Sequence, residues 1–143
     1  MVLALTFFVN ASEELAYRGY LFVRVARNVS GLFAILTTSI VFCLYHVQSG
    51  VPWFSALAGV LTCGVLYGVI FARWRSLPAT LGFHWGNNLA QHLLGLRVGP
   101  MTLVEPAGVP SNRAAAAILI GVTSVNLLMA TGLFFWGKKT AAV

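Results

Sequence analysis

Long apolar segments separated by short polar turns extend along most of this chain. A helix needs about 20 apolar residues to cross the hydrocarbon core, because each residue rises about 1.5 Å across roughly 30 Å. The pattern predicts an all-α, polytopic transmembrane bundle in a single membrane-embedded domain over residues 1–143. Its five predicted spans cover about Val2–Val23, Ser30–His46, Pro52–Ala72, Leu77–Leu96 and Ala114–Gly137.

Helix-breaking residues mark the ends of these apolar segments. Glycine, proline and serine cluster at 49–52, 76–78 and 99–110, and such clusters favour turns and loops. Pro52 and Pro78 suit the first turn of a helix, where the missing N–H of proline has no intrahelical partner to lose. The first two clusters therefore predict tight turns, and the third predicts a longer loop.

The composition supports a membrane protein and excludes several other classes. Hydrophobic residues make up 59% of the chain and charged residues 8%, against about 25% charged in an ordinary soluble domain. The net charge of +6 on so apolar a chain predicts membrane orientation rather than nucleic-acid binding. Cys43 and Cys63 each lie in an apolar run, where a thiol packs as a small hydrophobic group.

The distribution of lysine and arginine predicts the orientation of the helices. Cations follow the first, third and fifth spans, and positively charged loops tend to remain cytoplasmic. Met1 is then expected to lie outside, which suggests either an N-terminally truncated member of a larger bundle or a first segment that is a re-entrant or tilted helix. The cations that carry this prediction are Arg24, Arg27, Arg73, Arg75, Lys138 and Lys139.

Two of the three acidic residues in the whole chain, Glu13 and Glu14, are adjacent within an apolar segment. An ionised side chain at the centre of a membrane helix costs about 2.5–3.5 kcal/mol, so such residues face a protein interior or a wet cavity. Arg18 lies four residues after Glu14, and this spacing allows a salt bridge on one helix face. Glu13 points about 100° away from that pair and needs another neighbour.

Two histidines also lie in apolar segments of the sequence. Asn88 follows His84 by four residues, so both polar side chains share one helical face, and His92 continues that face as a spare candidate. His46 ends a different apolar segment. For each histidine alone, a hydrogen bond between helices is an alternative to a catalytic role.

Three short motifs occur in order along the chain. They read E-E-L-A-Y-R at 13–18, F-C-L-Y-H at 42–46 and H-W-G-N-N at 84–88. Together they resemble the signature of the CPBP family, the CAAX proteases and bacteriocin-processing enzymes also called Abi, which are intramembrane peptidases. The resemblance covers about 9–91, and relatives usually carry further transmembrane helices ahead of the first motif.

This resemblance implies a glutamate-dependent endopeptidase that hydrolyses a peptide bond with an activated water. Glu13 is the residue expected to activate that water, with His46 beside it. His84 and Asn88 are expected to stabilise the oxyanion, and N–H donors of this kind are effective at such sites.

The resemblance also implies a structural role for Glu14 and Arg18, which would fix the first helix. No metal cofactor is favoured, since the chain has no H-E-x-x-H motif and asparagine is a poor zinc ligand. A divalent metal such as zinc remains the alternative, with Glu13, His46 and His84 as its ligands.

The expected partners are the lipid bilayer and a peptide or protein substrate, either prenylated or a bacteriocin precursor, but no nucleic acid. The expected location is integral to a membrane, of the bacterial plasma-membrane type. Two other functions fit the same polar residues. One is a non-catalytic immunity or scaffold protein that retains the fold, and the other is a small proton-coupled transporter.

Overall fold

A computed structural model describes residues 2–93 and 112–136 of the chain. These residues form helices and turns, with no strand among them, which confirms the all-α prediction. The first helix, α1, is continuous over 2–28 and consists of Val2–Glu14, a π-helical segment Leu15–Phe22, and Val23–Asn28. The other four are α2, Gly31–Gln48; α3, Trp53–Trp74, with a π-helical segment Ala56–Val60; α4, Leu77–Leu93; and α5, Asn112–Trp136.

The helix boundaries agree with the predicted turns within a few residues. Helix α1 continues past its predicted end at Val23 to Asn28. The prediction ended where the apolar pattern gives way to arginines, but arginine is a good helix former and the helix continues through them. Pro78 lies in the first turn of α4 as predicted, whereas Pro52 precedes α3, which begins at Trp53. The predicted loop at 99–110 and the pair Lys138 and Lys139 lie outside the described residues.

Side-chain caps fix the start of two helices. The Ser30 hydroxyl accepts a hydrogen bond from the Phe33 amide at 3.1 Å, and the Ser76 hydroxyl accepts one from the Ala79 amide at 3.3 Å. Each bond pairs an N–H that has no partner within the first turn of its helix. The short turns before α2 and α4 are therefore specified locally by serine.

Helices α2, α3 and α5 are long and apolar enough to cross a bilayer, and these are the three that qualify within residues 2–93 and 112–136. Large apolar side chains cover the outward face of α2, including Phe33, Leu36 and Ile40. Exposed apolar surface of this extent is unfavourable in water and suits contact with lipid. The chain is an integral membrane protein in which α3 is the most enclosed of the three helices.

Glycines allow α2 and α3 to approach each other closely. A Cβ added at Gly64 would lie 3.1 Å from Ser39 Cα, and one added at Gly68 would lie 3.2 Å from Ile35 Cγ2. Small residues four positions apart are typical of close helix contacts in membranes. The backbone of α3 near Gly64 is consequently held against α2 and available to groups on α1.

Gly64→Ala is expected to lower the free energy of unfolding by about 1–3 kcal/mol, since α2 and α3 must separate to admit the new methyl group. Alanine has a higher helix propensity than glycine, so the loss of unfolding free energy would arise from packing and not from helix propensity. Thermal unfolding in detergent micelles measures the effect. Gly82→Ala is the control, because a Cβ there meets no atom within 4 Å. Equal midpoints for the two variants would contradict the packing argument.

Candidate active site

One face of α1 is polar and buried in the bundle. Asn10, Glu14 and Arg18 follow one another at intervals of four residues and are each almost fully buried. Arg18 Nη1 donates to Glu14 Oε1 at 3.0 Å, which is the expected salt bridge within the helix. Arg18 Nη2 also donates to the Gly64 carbonyl oxygen at 3.2 Å. The guanidinium thereby joins α1 to the backbone of α3.

Aromatic rings surround the buried guanidinium of Arg18. Its central carbon lies 5.2 Å from the ring centre of Phe42, 5.5 Å from that of Tyr67 and 5.9 Å from that of Tyr17. The electron-rich faces of aromatic rings attract cations, and this attraction is stronger where water is excluded. These rings therefore offset part of the cost of burying the charge.

His84 on α4 contacts both adjacent glutamates of α1. Its Nδ1 lies 2.7 Å from Glu14 Oε1, and its Nε2 lies 3.6 Å from Glu13 Oε2. Glu13 thus has the additional neighbour that its position on the helix required. The Glu14 side chain is 2% exposed and held by Arg18 and His84, whereas the Glu13 side chain is 16% exposed. Glu13 is therefore the more accessible of the two carboxylates.

Tyr67 supports the imidazole of His84 from α3. The two rings stack with their centres 4.7 Å apart and their planes 25° apart. Asn87 Nδ2 donates to the Tyr67 hydroxyl at 2.9 Å, so α4 also holds the tyrosine that it packs against. Stacking and hydrogen bonding together restrict the ring of His84 to the orientation that faces the glutamates.

His46 lies beside this cluster, near the end of α2. Its Nδ1 is 2.9 Å from the Phe42 carbonyl oxygen. Because a carbonyl only accepts, Nδ1 carries the hydrogen and Nε2 is left with the lone pair. The Phe42 ring centre lies 4.4 Å from that of His46 and 5.8 Å from that of His84. Within the described residues, His84 rather than His46 forms the histidine contacts with Glu13 and Glu14.

Asn88 lies one turn after His84 and contacts α1 at a second position. Its Nδ2 donates to Asn10 Oδ1 at 2.9 Å, and both asparagines are buried. His92, the spare candidate from the sequence, is buried on the same face of α4. The polar face of α4 therefore packs along the polar face of α1.

The acidic and histidine side chains do not fit a metal site. Residues 2–93 and 112–136 contain no group of three His, Cys, Asp or Glu side chains placed to hold a metal ion. Glu14 already accepts hydrogen bonds from Arg18 and His84. The alternative ligand set of Glu13, His46 and His84 is not assembled as such a group in these residues.

A cavity of about 510 Å³ lies among α3, α4 and α5, and Tyr67, whose ring stacks on His84, forms part of its wall. Apolar side chains such as Leu66, Phe83 and Met129 form most of its wall, and Asn87 and Asn126 add polar atoms. This cavity does not include the two glutamates. The glutamate cluster on the α1 side of α4 is therefore the candidate active site.

The structure brings most of the residues selected from the sequence into one region. Glu13, Glu14, Arg18 and His84 form a connected network, Asn88 lies one turn further along α4, and His46 approaches through Phe42. Sequence reasoning missed Asn10 and Tyr67. A polar residue four positions before Glu14 in an apolar run could have indicated Asn10, but nothing in the local sequence distinguishes Tyr67.

Comparison with known protein families identifies a family for this chain. The family model described as type II CAAX prenyl endopeptidase Rce1-like matches residues 1–90, which is more than half of the chain. This range contains the three motifs that carry the site residues. No curated protein and no solved structure matches the chain significantly.

Proposed function

The chain belongs to the Rce1-like family of type II CAAX prenyl endopeptidases, and on this premise we propose that it is an intramembrane endopeptidase in which Glu13 activates the hydrolytic water. The family is a CAAX-type protease family, which supports peptide-bond hydrolysis in general. The assignment to Glu13 follows from its contact with His84 and its partial exposure. We name it the nucleophile-activating residue of the site.

Hydrolysis at this site requires one proton to move twice. Glu13 takes a proton from water as the water oxygen bonds to the carbonyl carbon of the scissile peptide. The resulting tetrahedral intermediate collapses by breaking the C–N bond, and Glu13 returns the proton to the leaving nitrogen. Positioned general bases of this kind contribute about a hundred- to ten-thousandfold to rate. His46 Nε2, with its lone pair, accepts a hydrogen bond from the same water and orients it.

His84 and Asn88 donate to the oxyanion of that intermediate. Nδ1 of His84 faces Glu14 and Nε2 faces Glu13, so in this proposal the ring borders the position where the oxyanion forms. Tyr67 and Glu14 hold the imidazole before the substrate arrives, and donors fixed in advance are the effective ones.

The contact between Glu13 and His84 is the observation that carries this proposal. The two residues are on different helices and 71 positions apart in the sequence, yet Oε2 and Nε2 lie 3.6 Å apart. A carboxylate beside a ring nitrogen supports a site in which one group accepts a proton and its neighbour stabilises the oxyanion. An ion pair serving stability alone is already provided by Glu14 and Arg18.

The substrate proposed from the family description is a protein or peptide with a prenylated C-terminal segment. Its lipid would hold the scissile bond at the membrane, where α2, α3 and α5 embed the enzyme. A bacteriocin precursor is the other substrate class, and a bacterial-type plasma membrane is the proposed location. Both depend on the resemblance drawn from the motifs.

The test is cleavage of a synthetic peptide with an S-farnesyl cysteine near its C-terminus by the chain reconstituted in liposomes. Mass spectrometry identifies the liberated C-terminal fragment. Cleavage of the same peptide without the farnesyl group is measured in parallel, to compare prenylated with unprenylated substrates. Cleavage that needs the enzyme supports the proposal. An intact folded chain that releases no fragment from either peptide, or from a bacteriocin precursor, would contradict it.

Chelation is expected to leave this activity unchanged within about twofold, because the donor set at Glu13, His46 and His84 does not form a metal cluster. The measurement is the cleavage rate after dialysis against EDTA and again after adding zinc. A metal-dependent peptidase assayed in parallel controls for effective chelation. Activity lost to EDTA and restored by zinc would establish a metal mechanism instead.

A further inference from the structure

A second polar contact joins α1 and α4 one turn away from the glutamates. We infer that Asn10 is a positioning residue of the active site, which holds the amide of Asn88 in the orientation that donates to the oxyanion. This inference rests on the proposed function. It goes further by assigning a role to a residue outside the three sequence motifs.

The geometry around Asn10 defines how it acts. Asn10 is 3% exposed, and its Oδ1 accepts a hydrogen bond of 2.9 Å from Asn88 Nδ2. The side-chain amide of Asn88 can rotate by 180°, which exchanges its oxygen and nitrogen. Asn10 Oδ1 opposes this rotation, because the Asn88 oxygen would then face another hydrogen-bond acceptor. Asn10 thus selects the state in which the Asn88 nitrogen faces α1. That nitrogen bears two hydrogens, so the one that binds Asn10 also sets the direction of the other.

Asn10 and Glu14 each hold one buried polar atom, Nδ2 and Oε2 respectively, that has no hydrogen-bond partner among the described residues. One atom is a donor and the other an acceptor, and the two residues lie one helical turn apart on the same face of α1. Buried polar atoms are rarely left unpaired, and a bond between these two would satisfy both. That bond would also connect Asn88 to the carboxylate that holds His84.

Asn126 shows what a purely structural buried asparagine looks like in this protein. It is 6% exposed, and its Nδ2 lies 3.1 Å from Cys63 Sγ and 3.4 Å from Thr62 Oγ1. These contacts join α5 to α3, and neither of them involves α1. Asn126 is therefore a matched control for Asn10, with the same side chain and similar burial in a different helix pair.

The experiment compares Asn10→Leu with Asn126→Leu in the reconstituted chain, using cleavage of the farnesylated peptide. Loss of the acceptor for Asn88 is expected to lower kcat about tenfold or more with KM within about twofold, because one oxyanion donor is no longer oriented. Asn126→Leu is expected to leave kcat within about twofold. Asn10→Ala, which removes the same amide, replaces Asn10→Leu if that variant does not fold.

A double variant then tests whether Asn10 acts through Asn88. In the Asn88→Leu background, the change at Asn10 is expected to cause no further loss of kcat, since its partner is already gone. Losses that multiply in the double variant would overturn the inference. An unchanged kcat for Asn10→Leu, in an enzyme whose cleavage still depends on Glu13, would also overturn the inference. That result would leave the proposed function intact. A folded wild-type chain without Glu13-dependent cleavage overturns both.

Discussion

Glu13→Gln is expected to lower the rate of peptide cleavage by about a thousandfold or more while the protein remains folded. Glutamine is nearly isosteric with glutamate and keeps an oxygen at the position that faces His84 Nε2. It cannot take a proton from water, so the step that generates the nucleophile is lost. The change therefore separates the chemical role of Glu13 from its packing.

The same substitution at Glu105, the remaining acid of the chain, provides the control. Glu105→Gln makes the identical chemical change away from the three motifs, and its cleavage rate is expected to match the wild type. Circular dichroism and the unfolding midpoint of both variants check the fold. Cleavage by Glu13→Gln at the wild-type rate would favour a scaffold or immunity role. A transporter would be favoured if the wild-type chain showed gradient-driven uptake and no peptide product, and if Glu13→Gln abolished that uptake.

Arg18→Met is expected to destabilise the protein by about 3–5 kcal/mol. Methionine preserves much of the side-chain volume and its contacts with the aromatic rings. It removes the charge that faces Glu14, and the carboxylate is then buried without its cation. The bond to the Gly64 carbonyl is also lost, so α1 is no longer held to α3 at this point.

A second variant separates the uncompensated charge from the loss of the pair itself. Glu14→Gln combined with Arg18→Met leaves no buried charge at these positions and is expected to recover more than half of the stability. Unfolding in detergent mixtures measures the single and double variants, and Arg24→Met on the exposed end of α1 controls for loss of a cation. If Arg18→Met were as stable as Arg24→Met, the buried pair would not hold the helices together.

The charged part of the site was predictable because charge is rare in this sequence. Few acids occur in the chain, so two adjacent glutamates in an apolar segment are conspicuous. The i,i+4 rule then paired Glu14 with Arg18 and left Glu13 in need of a neighbour. The structure supplies that neighbour as His84. Local spacing and the cost of buried charge were sufficient for this part.

The supporting residues were not predictable, because their roles depend on contacts between distant segments. Tyr67 looks like any aromatic residue of an apolar helix until its ring stacks on His84. Asn10 gains meaning only through a contact with Asn88, 78 positions away. The structure relates His46 to the cluster through the ring of Phe42, which contacts His84 on another helix.

The fold was predictable in its helices and turns but not in its closest contacts. Breakers at 49–52 and 76–78 gave the ends of α2, α3 and α4 within a few residues. The hydrophobic pattern of the sequence does not predict the π-helical segments in α1 and α3. The close approach at Gly64 also depends on which face of α3 meets Ser39, and an almost uniformly apolar helix does not specify that face.

The two helices that carry the polar site, α1 and α4, are not among the three that qualify as spans in the part of the chain described. During synthesis, α1 leaves the ribosome with Glu13, Glu14 and Arg18 long before His84, which follows Glu14 by 70 residues. Nascent α1 therefore lacks its imidazole partner until α4 has been made. Burial of these carboxylates without that partner is costly, so we expect the folding of α1 to be coupled to that of a helix made later in synthesis.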